Sequence, residues 1–213
     1  MDRNIQLDTF SRLFRVSRET IISLEKFEEL VLSANKKLNL IGKSTEYEIW
    51  NRHITDSFQV IDFIDKNDKS MIDLGTGAGF PGIVLALAAK ERKIPLEIML
   101  IEKSRKKTKF LEKTIDKLNL NIKIICKNIL DEKNITADVF VARAFKPLEA
   151  VLQLIHNQTL NYKKFFIFQG KTGSVELLQA SKNWNIEYKQ RVSVTSNDSK
   201  ILEINNLTKR QIA

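Results

Sequence analysis

Four of the chain's seven glycines, Gly75, Gly77, Gly79 and Gly82, fall inside eight residues, directly after the apolar run Met71-Ile72-Asp73-Leu74. Ile83–Ala89 follows at once, long enough to open a helix. Glycine admits positive φ and lets a ligand approach the backbone, so this is a strand, a binding loop and a helix. Pro81 is expected at the first helical position, where its missing N–H costs nothing. A strand that feeds a helix in this way commits the chain to an α/β sheet, and the pattern beyond it agrees. Candidate strands at Met71–Leu74, Glu97–Ile101, Ile122–Cys126, Val139–Ala142 and Phe165–Gln169 alternate with helical stretches at about 82–92, 104–118, 147–156 and 174–182. Two further strands, Ile186–Val194 and Ile201–Asn205, are expected to form a C-terminal antiparallel hairpin through Ser196-Asn197-Asp198-Ser199. The reading is a mixed sheet with helices on both faces. Residues 1–52 form an N-terminal helical extension and 53–213 the α/β domain. Within the extension, Leu7, Phe10 and Leu13 or Phe14 keep helical spacing, as do Ile21, Leu24, Phe27 or Glu28 and Val31, with Ser17 as an N-cap.

Two nucleotide classes use such a loop. Gly77, Gly79 and Gly82 satisfy the dinucleotide spacing G-x-G-x-x-G, and Glu102 follows 20 residues after Gly82. Asp73, two residues before the first glycine, argues the other way. A carboxylate there repels a pyrophosphate but suits a ligand with an amino group and a positive sulfonium. S-adenosylmethionine has both and no phosphate. On this reading Asp73, Gly75, Gly77 and Gly79 hold the amino-acid end, and Glu102 accepts from the ribose hydroxyls, a role it would fill for either nucleotide. The fold expected from the pattern is a mixed, doubly wound one.

The loop, Asp73-Leu-Gly-Thr-Gly-Ala-Gly-Phe-Pro-Gly82, resembles the first motif of the glucose-inhibited division protein B family. Three more segments match the family in order: Asn39-Leu40, Asn51-Arg52-His53-Ile54-Thr55-Asp56-Ser57, and Ala142-Arg143-Ala144-Phe145. Together they span residues 39 to 145. The resemblance implies the Rossmann-like fold of class I S-adenosylmethionine-dependent methyltransferases and formation of 7-methylguanosine in the decoding-region loop of 16S rRNA, with cofactor contacts at Gly75, Phe80, Ile129, Leu130 and Arg143. One departure is visible. The fifth strand of relatives often ends in Lys-Gly, whereas here it ends Gln169-Gly170-Lys171, which poses the question of whether Lys171 does that work from two positions later.

The residues also bear on the nucleophile. Methylation of cytosine C5 needs a covalent cysteine, and Cys126, read as a buried thiol at the end of an apolar strand, does not suit it. Exocyclic adenine methylation usually goes with an Asn/Asp-Pro-Pro-aromatic turn after the fourth strand, where this chain has Ala142-Arg143-Ala144-Phe145-Lys146-Pro147. Guanine N7 is a bare lone pair that needs no general base. Arg143, His53 and Asp56 are the catalytic candidates. Their ordinary alternatives are a surface ion pair for Arg143, a structural imidazole for His53 and a capping or salt-bridged carboxylate for Asp56. A methyltransferase acting on a small molecule or protein side chain, and an RNA-binding module with a vestigial cofactor fold, are the competing readings.

With 35 Lys and Arg against 26 Asp and Glu, the net charge is +9, a field suited to nucleic acid. Arg3, Arg12, Arg15 and Arg18, the run from Lys103 to Lys117, and Lys163, Lys164, Lys171, Lys182, Lys189 and Arg191 supply it. Phe80 and Phe145 are candidates for stacking on a base. One cysteine and two histidines make no usual zinc site, and no metal is expected. No apolar run spans a bilayer and no leader precedes the first helix, so a cytoplasmic monomer is expected. Its partner would be 16S rRNA, a 30S subunit or an assembly intermediate.

Overall fold

The computed structural model describes residues 2–211. Helices α1 (Arg3–Phe14) and α2 (Arg18–Leu38) come first. A 3-10 turn at Lys43–Glu48 and a π-helical turn at Trp50–Thr55 run on into the single turn α3 (Asp56–Phe58) and a 3-10 segment, Gln59–Phe63. This helical path continues through residue 52 without a break. Then strand and helix alternate: β1 (Ser70–Leu74), α4 (Gly82–Glu91), β2 (Glu97–Ile101), α5 (Arg105–Leu118), β3 (Ile122–Ile125), β4 (Val139–Arg143), α6 (Leu148–Asn157), β5 (Lys164–Gln169) and α7 (Gly173–Ala180). The hairpin β6 (Trp184–Ser193) and β7 (Ser196–Lys209) closes the chain.

The seven strands order as β3-β2-β1-β4-β5-β7-β6. Strands β1 to β5 are parallel, and β7 inserts antiparallel between β5 and β6. Strands covered on both faces read as continuous apolar runs, and their alternate residues serve two cores. Met71, Ile98, Leu100, Val139 and Val141 face the core of α2, α4 and α5. Ile72, Leu74, Phe140, Ala142 and Phe165 face that of α6 and α7.

The N-terminal helices share the first of these cores. Leu24, Phe27 and Val31 are fully buried, and the Phe27 ring lies 5.0 Å from Phe80 of the glycine loop. Ser17 caps α2 as expected, accepting from the Thr20 N–H, while its hydroxyl donates to Glu91 of α4 at 2.6 Å. Both residues of the ambiguous pair Phe27 and Glu28 are buried, because Glu28 accepts from the Trp50 indole at 2.9 Å and pairs with Arg3 at 2.5 Å. Phe14 is buried while Leu13 is 48% exposed.

Three local expectations are corrected. The hairpin turns at Val194-Thr195, not at Ser196–Ser199, which belongs to β7. The Val194 N–H donates to Gln59 Oε1 at 3.1 Å and the Thr195 N–H to Ser193 Oγ at 3.1 Å, so one tertiary and one local partner hold the tighter turn. Pro81 stands one place earlier, at the cap of α4. Cys126 lies beyond the end of β3 and is exposed.

Candidate active site

The strand order reverses between β1 and β4, and an open α/β sheet binds its ligand at the carboxyl ends of the strands flanking that point. A cavity of about 480 Å³ lies there. Each strand end contributes one wall: Gly75 to Ala78 after β1, Glu102 and Lys103 after β2, Lys127 to Leu130 after β3, and Arg143 to Lys146 after β4. Leu40, Ile41 and Gly42 close another side.

Two carboxylates brace the glycine loop. Glu102 accepts from the Gly77 N–H at 3.0 Å and the Ser104 N–H at 2.8 Å, and it edges the cavity with acceptor capacity to spare. Asp73 lies beneath the loop, fully buried, and accepts from the Gly82 N–H at 2.8 Å. Its second oxygen and the Thr76 hydroxyl are buried outside hydrogen-bond geometry, although that hydroxyl still favours the charged carboxylate. Burial dominates and pushes the Asp73 carboxyl up to about 7. The expectation that Asp73 meets the ligand's amino group is thereby corrected. Being the last but one residue of β1, it points into the sheet–helix layer and fastens the start of α4.

Gly77 is the loop glycine with open space above it. Its φ is +59°, and a Cβ there would meet nothing closer than the Gly75 carbonyl at 3.9 Å, so the space it would enter is the cavity. At Gly75 a Cβ would strike the Phe145 ring at 2.3 Å, so that glycine serves the contact between two loops. Gly79 sits against Ile83 and Leu111, away from the cavity.

Arg143 is the hub of the opposite wall. Its Nε lies 3.4 Å from Asp56 Oδ2, Nη1 donates to His53 Nδ1 at 2.8 Å, and Nη2 donates to the Arg52 carbonyl. Only 17% of its side chain is exposed, so it is no surface ion pair, and burial lowers its pKa from the usual guanidinium value. Asp56 faces away from the cavity and also accepts from Ser193 at 2.8 Å and Gln59 at 3.0 Å, which ties the π-turn to the C-terminal hairpin. It holds Arg143 from behind and is not part of the cavity wall.

Because arginine only donates, His53 Nδ1 must accept, and Nε2–H then donates to Thr45 Oγ1 at 2.9 Å. The imidazole lies on Phe80, ring centres 5.1 Å apart. Burial, then Arg143 and Arg52, push its pKa down to about 3. His53 is therefore a neutral ring of fixed tautomer with both nitrogens engaged.

Of the expected site residues, the fold gathers His53, Gly75, Gly77, Phe80, Glu102, Ile129, Leu130 and Arg143 around one cavity and leaves Asp56, Asp73 and Gly79 behind it. Lys171 does not take the place of Gln169. It is exposed, paired with Asp198 at 3.5 Å, while Gln169 is buried and donates to the Gly173 carbonyl. The sequence reading missed the wall at Leu40–Gly42 and the residue that builds it. Asn35 Oδ1 accepts from the N–H groups of Leu40 and Ile41, at 2.5 and 2.9 Å. Only the Asn39-Leu40 motif signalled that segment.

The 3-2-1-4-5-7-6 sheet, its glycine loop and the acidic end of β2 define a class I S-adenosylmethionine-dependent methyltransferase. Solved structures of like fold include a SAM-dependent methyltransferase from Aquifex aeolicus (TM-score 0.54, 16% identity, 81% of this chain and 96% of that one). The 16S rRNA methylase RmtB is another (TM-score 0.52, 13% identity, 89% and 75%). The chain belongs to the rRNA small subunit methyltransferase G family, whose model matches residues 20–207. A relative named ribosomal RNA small subunit methyltransferase G in Pelagibacter ubique is 36% identical over 197 residues, covering 92% of each chain. Its namesake in Rickettsia felis is 38% identical over 197 residues, covering 92% of this chain and 99% of that one.

The cavity suits S-adenosylmethionine. It has an open cradle at Gly77, a buried carboxylate edge at Glu102 and an apolar flank at Ile129 and Leu130, whose side chain is 44% exposed. Among the described residues no three His, Cys, Asp or Glu side chains are placed to hold a metal ion, and no helix is long and apolar enough to cross a membrane.

Proposed function

We propose that this protein transfers the methyl group of S-adenosylmethionine to N7 of a guanine in 16S rRNA, within the decoding-region loop that the family resemblance implies. The observation that carries the choice of atom is the state of His53. It is the one described cavity residue whose ordinary titration lies near neutrality, and its geometry and depressed pKa remove it as a base. A site whose one near-neutral group is disabled as a base suits a nucleophile that has no proton to lose.

S-adenosylmethionine, when bound, supplies an electrophilic methyl group on its sulfonium. Everything else falls to positioning, which can supply most of the rate of an in-line displacement. Glu102 would accept from the ribose hydroxyls, Ile129 and Leu130 would flank the adenine, and the Gly75–Gly77 backbone would admit the amino-acid end. Arg143, held by Asp56, His53 and the Arg52 carbonyl, keeps the β4 loop against the glycine loop. Lys103, Lys107, Lys127 and Lys146 on the cavity wall would attract the RNA backbone. We take the substrate to be rRNA, free or within a 30S particle, and the working unit to be a cytoplasmic monomer.

A mass-spectrometric nucleoside map of rRNA from cells with and without this protein tests the proposal. One 7-methylguanosine of the small subunit should disappear with the protein. An unchanged map, or loss of a different modified nucleoside, would overturn it.

A further inference from the structure

Guanine and adenine both carry a bare N7, and the greater nucleophilicity of guanine's does not by itself keep an adenine out of the site. An enzyme that picks guanine must read the rest of the base. The Watson–Crick edge discriminates best, because guanine presents the N1–H and the 2-amino group, two adjacent donors, whereas adenine presents an acceptor at N1. A carboxylate accepts both guanine donors and repels adenine N1.

Three carboxylates near the donor cavity are committed elsewhere. Asp73 is sealed beneath the loop, Asp56 holds Arg143 from behind, and Glu102 braces the glycine loop through the Gly77 N–H. The fourth lies across the β4 loop. A second cavity, about 390 Å³, opens at the carboxyl ends of β4 and β5 and shares Ala144, Phe145 and Lys146 with the first. Phe145 and Phe168 supply aromatic surface to it, and Glu176 of α7 is its one acidic lining residue among those described. Glu176 accepts from the Leu148 N–H at 3.1 Å through Oε2 and from the Thr172 hydroxyl at 2.7 Å through Oε1. A carboxylate has about four acceptor positions, so each oxygen keeps one. These two bonds also hold it at the wall. The volume lies in the range of about 300–1,000 Å³ found for small-molecule sites.

We propose that this second cavity receives the flipped target guanine, with Glu176 accepting from its N1–H and 2-amino group while N7 faces the donor cavity past Phe145. The inference rests on the N7 reading above and adds the residue that selects the base. Ala144, the residue that turns the chain between the two cavities, has φ +47°, in the left-handed region that non-glycine residues seldom occupy. This places Phe145 in the wall of both cavities.

The test uses the full-length protein and small-subunit rRNA carrying guanosine, inosine or 2-aminopurine riboside at the target position, introduced by splinted ligation. Inosine keeps N1–H and O6 but lacks the 2-amino group; 2-aminopurine keeps that amino group but lacks O6 and N1–H. The wild type should prefer guanosine to inosine by roughly tenfold to a hundredfold in kcat/KM, the discrimination of a good bidentate contact. Glu176→Gln, which retains one acceptor oxygen for the helix contacts, should erase most of that preference. Binding of S-adenosylhomocysteine and the thermal midpoint should stay near wild type, since Glu176 is outside the donor cavity. If the wild type treats guanosine and inosine alike, the 2-amino group is not read and the proposed two-donor contact with Glu176 falls. It also falls if Glu176→Gln slows both substrates by the same factor, the mark of a structural role. If wild type leaves the guanosine substrate unmethylated at N7, the underlying reading fails, and the proposed base site with it.

Discussion

At the residue scale, the site depends on side chains and one glycine whose roles are opposite to their usual ones. His53, the residue most often cast as a base, is locked neutral; Asp73, the residue expected to touch ligand, is a buried brace. Their linkage to stability has opposite signs. An unfolded chain protonates His53 near pH 6.5, whereas the native state resists until about 3. The contribution of neutral His53 is thus whole above about pH 6.5 and falls by up to about 1.4 kcal/mol per pH unit below it. Asp73 is protonated in the native state up to about 7, so its contribution is whole below about pH 4 and is lost as pH rises through 7. Over about pH 4 to 6.5 the two oppose each other. His53→Gln removes one of them, so its urea midpoint, relative to wild type, should rise as pH falls from 6.5 to 4. Parallel profiles for the two proteins would refute the assignment. For the same reason single-turnover methylation should stay flat from about pH 6 to 9 on saturating RNA, since no lining base titrates there. Gly77→Val should weaken S-adenosylhomocysteine at least tenfold by calorimetry while costing about 1–2 kcal/mol of stability from its left-handed backbone. Undiminished binding would show that the ligand does not pass over Gly77.

At the element scale, the π-turn Trp50–Thr55 and the β6–β7 hairpin meet at Asp56, and neither can shift without moving Arg143. Asp56→Ala strips a largely buried guanidinium of its carboxylate, and such losses cost about 3 kcal/mol. Asp56→Asn, which keeps an acceptor, should cost less, and both should slow methyl transfer through a misplaced Arg143. Denaturant melts and single-turnover rates on the two variants check this; a stable, fully active Asp56→Ala would refute it. Helix α2 is bound to the site in a comparable way, since Phe27 packs on Phe80, and Phe80 carries His53. Phe27→Ala should cost about 3–5 kcal/mol and weaken cofactor binding besides.

At the scale of the whole molecule, a net charge of +9 and a lysine-lined cavity mouth make RNA affinity a function of salt. Each phosphate contact contributes roughly −0.7 to −0.9 to the log–log slope. Lys107→Glu should weaken RNA binding and flatten that slope by about one contact. A slope near zero in the wild type would mean that the charge serves solubility alone.

What the sequence determined by itself was what short-range physics writes into it. Glycine spacing marked the loop, apolar runs marked the five parallel strands to within a residue or two, and Ser17 marked a cap, because each depends on neighbours along the chain. Motif order was enough to name the family and to nominate most of the cavity wall. Only the tertiary structure decided which carboxylate faces the cavity. Asp73 and Glu102 both follow apolar strand residues, yet one is the last but one residue of β1 and points inward, while the other follows β2 and edges the cavity. It also decided the protonation of His53, which depends on Arg143, 90 residues away, and on burial that no local pattern encodes. The tight turn at Val194-Thr195, through Gln59, and the cavity beside Glu176 belong to the same class. Each is made by groups distant in sequence, and desolvation and side-chain hydrogen bonds between such groups exist only once the fold has brought them together.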